Sequence, residues 1–166
     1  MTVLHETLRE ILGGKAIELF ADYGVTATRI EAQSGYERLL CGILGFTGDH
    51  LCGSVVISAT EAAIADSNPI HDGATRAWTA ELTNQVVGRF KNALLRCGVE
   101  VAMSIPVVLT AAQLTPLPQT ERDPIRLSVG SGTVAIWLEF EADADLVLSD
   151  PSPESMIAAE GEAMLF

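Results

Sequence analysis

Residues 37–58, ERLLCGILGFTGDHLCGSVVIS, hold two apolar runs on either side of Gly48-Asp49. Runs of this length about a Gly-Asp turn signal read as two strands, 37–47 and 50–58, joined in a β-hairpin. Gly42, Gly45 and Gly53 fall inside the strands. A missing side chain there marks a bulge or a close approach of another backbone. A short turn can join only antiparallel strands, because parallel ones need a long crossover.

The same punctuation continues outward in both directions. Thr60 ahead of Glu61-Ala62-Ala63-Ile64-Ala65 reads as a capped short helix that ends at Ser67-Asn68-Pro69. Residues 73–97, GATRAWTAELTNQVVGRFKNALLRC, form the clearest helix of the chain, closed by Gly98. Val99–Ile105 and Val107–Leu114 flank Pro106 and read as two strands or one broken strand. The three prolines of 115–124 make that stretch a loop. Ile125–Val129 and Thr133–Phe140, about Gly130-Ser131-Gly132, read as a second hairpin. Toward the N-terminus, residues 3–22 carry Leu4, Leu8, Ile11, Leu12, Ile17 and Phe20 at helical spacing, interrupted by Gly13-Gly14. Gly24 fits a helix C-cap, and β-branched residues make 25–33 a strand.

The order is helix, three strands, two helices, then about four strands. Strands linked by short turns imply a mainly antiparallel sheet, and the helices must cover it. The expected fold is therefore α+β, a single layered domain with two longer helices and one short helix on an antiparallel sheet. It spans 1–142, with an acidic C-terminal tail, expected to be partly disordered, at 143–166.

The 166 residues suit one domain. A chain of this length buries roughly 70% of its unfolded surface and needs no covalent staples. Mean hydropathy is +0.30, yet no apolar run approaches the roughly 18 residues of a membrane span. The start, MTVLHETLRE, lacks the basic and apolar blocks of a signal peptide. The expectation is a cytoplasmic protein that does not enter a membrane.

Cys41, Cys52 and Cys97 are an odd number without CxxC spacing, and read as free thiols. His5, His50 and His71 are scattered, so no metal site is expected. The net charge is −12. From Glu139 onward there are eight acidic residues and no Lys or Arg, so most of that excess sits in the last 28 residues. An acidic chain without a basic face is a poor match for nucleic acid. The tail reads as a solvated end.

The long helix has two distinct faces. At about 100° per residue, Trp78, Leu82, Val86, Phe90, Ala93, Leu94 and Cys97 fall in one apolar stripe. Ala77, Glu81, Asn84, Gly88, Lys91 and Leu95 fall directly opposite. A plain solvent face would be dense in charge, whereas this one has one acid, one amide and a mid-helix glycine. Glycine there costs roughly 1 kcal/mol relative to Ala. Two explanations fit: Gly88 lets a partner's backbone come close, or it packs beneath another element of its own chain.

At these residues the sequence resembles the CheC/CheX/FliY family of chemotaxis phosphatases. That family carries an acidic or serine residue, Glu four positions on, Asn three further, and Pro 22 beyond the Asn. Here Glu81-x-x-Asn84 is followed by Pro106 at that spacing. The text between, NQVVGRFKNALLRCGVEVAMSIPVV, is similar to the family in Gly88, Leu94 or Leu95, Gly98 and Ser104-x-Pro106. GSVVISATEAAIADS is similar to the strand and short helix that precede the motif. The resemblance covers about 37–110 closely and the rest in outline. Two positions depart from it: Ala77 stands at the acidic-or-serine position, and Ala111 at an often-glycine one. The first helix offers Glu6-x-x-Arg9 and Glu18-x-x-Ala21, neither with Asn, so one site is present, as in CheX.

The resemblance implies hydrolysis of the aspartyl phosphate of a CheY-type response regulator, with Glu81 and Asn84 as the catalytic pair. Ala77, Gly88 and Lys91 would face the partner. No cofactor belongs to the chain itself, since the Mg²⁺ is expected on the partner regulator. A homodimer is also implied. An aspartyl phosphate is already labile, so a phosphatase need only place a water in line with phosphorus. An amide suits that task because it accepts and donates hydrogen bonds without titrating. The Glu, by resemblance, contacts the regulator's active-site lysine and orients the complex. A receiver-binding module without catalysis and a flagellar switch-associated scaffold are the alternatives.

Overall fold

The Gly48-Asp49 turn forms where expected, with the Gly48 amide donating to the Leu51 carbonyl at 2.9 Å. The structure, a computed structural model, describes residues 3–31, 39–70, 74–111 and 123–151. In chain order the elements are α1 (Val3–Asp22), β1 (Ala27–Arg29), β2 (Leu39–Thr47), β3 (Leu51–Thr60), α2 (Glu61–Ser67), α3 (Thr75–Arg96), β4 (Ala102–Met103), β5 (Val107–Ala111), β6 (Ile125–Val129) and β7 (Gly132–Ala142). Among the described residues seven strands form one sheet in the order β1-β6-β7-β3-β2-β4, with β5 also on β2. Every pairing is antiparallel. The fold is the expected α+β single domain.

Register decides which side chains meet the helices. Leu40, Gly42, Leu44 and Phe46 point to one face of β2, and their partners Ala59, Ile57, Val55 and Gly53 do the same on β3. Val134, Ile136, Leu138 and Phe140 of β7 continue that face. All three helices lie on it. A Cβ on Gly13 of α1 would touch Ile125, one on Gly132 would overlap Ala63 of α2, and one on Gly42 would overlap Thr83 of α3. Leu8, Leu12, Leu44, Ile57, Leu82, Phe90 and Leu94 are almost wholly withdrawn from solvent. Each such side chain contributes about 1.5–3 kcal/mol through burial. The other face carries half-buried Ile43, Val56 and Trp137 and the exposed Val107 and Leu109.

Both long helices end in the same way. Gly24 and Gly98 have φ of +73° and +82°. Val25 donates to Phe20 and Gly24 to Ala21, while Val99 donates to Leu94 and Gly98 to Leu95. This is the Schellman pattern, which satisfies the last carbonyls and favours glycine at the left-handed residue. Thr60 caps α2 as expected, its hydroxyl accepting from the Ala63 amide at 3.3 Å.

Two expectations need correction. The strand expected at 25–33 shortens to Ala27–Arg29, because Val25 is spent on the α1 cap; 32–33 lie outside the described residues. The strands expected at 99–105 and 107–114 reduce to β4 and β5, broken at Ser104–Pro106, with 112–114 outside the described residues. There the Ser104 amide donates to the Gly45 carbonyl, and the Ser104 hydroxyl accepts from the Gly45 amide. Most of the expected 115–124 loop and the tail from 152 also lie outside the described residues. Of the segment after 142, Leu146 and Leu148 pack against the core, and the Ser149 amide donates to the Cys97 carbonyl at 3.0 Å.

Candidate functional site

The site grows out of α3. Trp78, Leu82, Val86, Phe90 and Leu94 recur at helical spacing and are buried, which pins one face of the helix to β2. Thr79 and Thr83 share that buried face and complete it, their hydroxyls donating to the Thr75 and Thr79 carbonyls at 2.8 Å each. A buried hydroxyl needs such a partner, and the preceding turn of the same helix supplies it. Opposite Thr83, Gly42 has no side chain, so helix and sheet meet closely. Phe46 and Phe90 meet edge-on, with centroids 5.9 Å apart.

With that face pinned, the opposite face is aimed outward. Ala77, Glu81 and Asn84 are exposed, and Gly88 and Lys91 are half-buried. All five lie on one stripe of one helix. Glu81 and Asn84 are separated by about 60° and about 4.5 Å of rise, so both project the same way. A Cβ built on Gly88 meets no atom within 4 Å. Of the two explanations for this glycine, packing beneath another element of the chain therefore lacks a contact among the described residues.

Two neighbours that sequence reasoning did not single out touch the stripe. The Gln85 amide nitrogen donates to Glu81 Oε1 at 2.7 Å. The Tyr23 hydroxyl donates to Gln85 Oε1 at 2.8 Å. The four-residue spacing of Glu81 and Gln85 is a readable helical pair. Tyr23 is 62 positions away from Gln85 and gave no such signal.

Among the described residues no group of three or more His, Cys, Asp or Glu could hold a metal ion. A cleft of about 440 Å³ lies past the C-terminus of α3, between the 47–50 turn and residues 98–102, and neither Glu81 nor Asn84 lines it. At its rim His50 Nδ1 pairs with Asp143 Oδ2 at 2.8 Å, and that hydrogen bond raises the His50 pKa. Burial raises the Cys41 thiol, which contacts the Ser58 hydroxyl. Among the described residues no helix is long and apolar enough to cross a membrane.

The structure is similar to a chemotaxis protein CheX from Vibrio vulnificus, with a TM-score of 0.67 and 19% identity over 81% of this chain and 99% of that one. It is similar to a CheC-like superfamily protein from Shewanella sp. PV-4, with a TM-score of 0.64 and 21% identity over 86% of this chain and 100% of that one. A chain of the CheX-CheY-BeF3-Mg+2 complex from Borrelia burgdorferi aligns with a TM-score of 0.56 and 13% identity, over 80% and 96% of the two chains. These likenesses establish the fold. No curated protein matches the sequence significantly. The family model described as Chemotaxis phosphatase CheX matches residues 40–129, more than half of the chain and all of α3. The chain therefore belongs to the CheX family of chemotaxis phosphatases.

Proposed function

We propose that this protein dephosphorylates a phosphorylated CheY-type response regulator by docking α3 over its aspartyl phosphate. The observation that carries the reading is the outward stripe of α3. Glu81 and Asn84 stand exposed one turn apart, and open space lies over Gly88 one turn further on. Family membership and the solved CheX-CheY complex of Borrelia burgdorferi support the choice of partner.

In this reading Asn84 holds a water in line with phosphorus by accepting one of its hydrogens. The water oxygen bonds to phosphorus as the bond to the aspartyl oxygen breaks, leaving inorganic phosphate and a free carboxylate. An in-line displacement needs little beyond positioning, since the regulator's own Mg²⁺ and lysine neutralise the developing charge. Glu81 pairs with a cationic group of the regulator and fixes the approach of the helix. Gly88 and Ala77 keep the stripe low, and Lys91 meets acidic surface on the partner.

The test is the loss of phosphate from a phosphorylated receiver, with and without this protein. Wild type should accelerate it, and Asn84→Ala should not, while still binding the receiver. Ala77, where relatives carry an acid or serine, favours a second reading: docking without catalysis. That reading predicts binding with no change in decay.

A cytoplasmic location and a homodimer belong to the same proposal. Ile105 is 85% exposed, Val107 54% and Leu109 42%, at and before β5, which pairs only with β2 among the described residues. An open apolar edge is where a second copy could add its own strand. Sedimentation equilibrium should then report twice the chain mass, and a monomer at tens of micromolar would oppose it.

A further inference from the structure

We propose that Gln85 and Tyr23 are positioning residues that hold the Glu81 carboxylate ready for its partner. The inference rests on the functional reading of Glu81 above.

An exposed glutamate on a helix surface samples several rotamers, and ordering it on docking costs conformational entropy. Here that ordering is built in beforehand. Gln85 donates its amide N–H to Glu81 Oε1 at 2.7 Å, and its own carbonyl oxygen accepts from the Tyr23 hydroxyl at 2.8 Å. The polarity of this relay is fixed by chemistry. An ionised carboxylate can only accept, so the amide nitrogen must face Glu81 and the amide oxygen must face Tyr23, which donates. Glu81 Oε2 has no hydrogen-bond partner among the described residues, which leaves that oxygen for a cation on the partner.

The far end of the relay is anchored in the core. The Tyr23 ring lies edge-on to Trp78, with centroids 4.9 Å apart and planes at 82°. Trp78 in turn donates its indole N–H to Ser67 Oγ at 3.1 Å, and Ser67 donates to the Ala63 carbonyl at 2.8 Å. Tyr23 also directly precedes Gly24, so the cap that ends α1 sets where the phenol stands. Three helices thus contribute to the position of one exposed carboxylate. An ordinary solvated Glu–Gln pair has no such anchorage.

Tyr23→Phe keeps the ring and its contact with Trp78 and removes only the donor. Gln85→Ala removes the link itself. Both are to be measured against a CheY-type receiver held in its phosphorylated form with beryllofluoride and Mg²⁺, in wild-type and Glu81→Ala backgrounds, with turnover recorded in parallel. Each should weaken binding about threefold to tenfold, the worth of one hydrogen bond. In the turnover assay the loss should appear in KM, with kcat near the wild-type value. In the Glu81→Ala background neither substitution should have a further effect, a silence that a merely structural role would not produce. Equal weakening in both backgrounds, or none in either, overturns the inference. A wild-type protein that binds without speeding phosphate loss would sink the phosphatase reading alone, and the binding cycle would still judge the relay. A wild-type protein that does not bind overturns both.

Discussion

Gly42 of β2 and Thr83 of α3 meet where no side-chain carbon fits: a Cβ on the glycine would overlap the threonine hydroxyl. This contact sets the height of α3 above the sheet, and so the direction in which its outer stripe faces.

Gly42→Ala should therefore destabilise the fold by about 1–3 kcal/mol, the usual cost of forcing extra volume into a packed core. Urea denaturation reads it. Thr83→Ala removes the hydroxyl and methyl that would clash, so the double variant should lose less than the sum of the two single ones. Strict additivity would mean the two residues do not share the contact.

Gly88→Ala should behave in the opposite way. Nothing lies within 4 Å of the added carbon, and alanine is favoured in a helix interior by about 1 kcal/mol. The variant should be as stable as wild type or more so, yet bind a receiver more weakly because the methyl group stands on the docking stripe. A drop in stability would show that the glycine serves packing within its own chain.

His50 adds a dependence on pH. Its hydrogen bond to Asp143 raises its pKa, opposed by desolvation and reinforced by the charges of Asp143, Asp49 and Asp145. A raised folded-state pKa favours the protonated ring in the folded chain. Its contribution is fully present below the ordinary histidine value of about 6.5 and fades as pH rises through the folded value. The difference in urea midpoint between wild type and His50→Ala should accordingly be larger at low pH than at high pH. Both partners are largely exposed, so the effect should be small and weakened by salt. An NMR titration that placed the His50 ring below the ordinary value would contradict this account.

Much of this arrangement was legible in the sequence wherever the signal was local. The Gly48-Asp49 turn, the Thr60 cap, the glycines that close α1 and α3, and the apolar period through Trp78 and Leu94 each follow from neighbouring residues. Thr79 and Thr83 were not assigned to the buried face because they are polar, and their hydroxyls are satisfied by carbonyls one turn back. Gly42 could be read as a close approach, but not as an approach to Thr83, since strand and helix meet only after folding. The strand expected from residue 25 was cut short because the α1 cap claims the Val25 amide. In the candidate site, Glu81 and Asn84 were visible as a spaced pair, and Gln85 could have been found as a helical neighbour of Glu81. Tyr23 could not, because its place depends on how α1 packs beside α3.

The most direct test is the decay of a phosphorylated CheY-type receiver, followed alone and with increasing concentrations of wild type, Glu81→Ala and Asn84→Ala. Wild type should accelerate decay, and Asn84→Ala should bring it back to the intrinsic rate while still binding. Glu81→Ala should require far more protein to reach any acceleration. Full acceleration by Asn84→Ala would contradict the account.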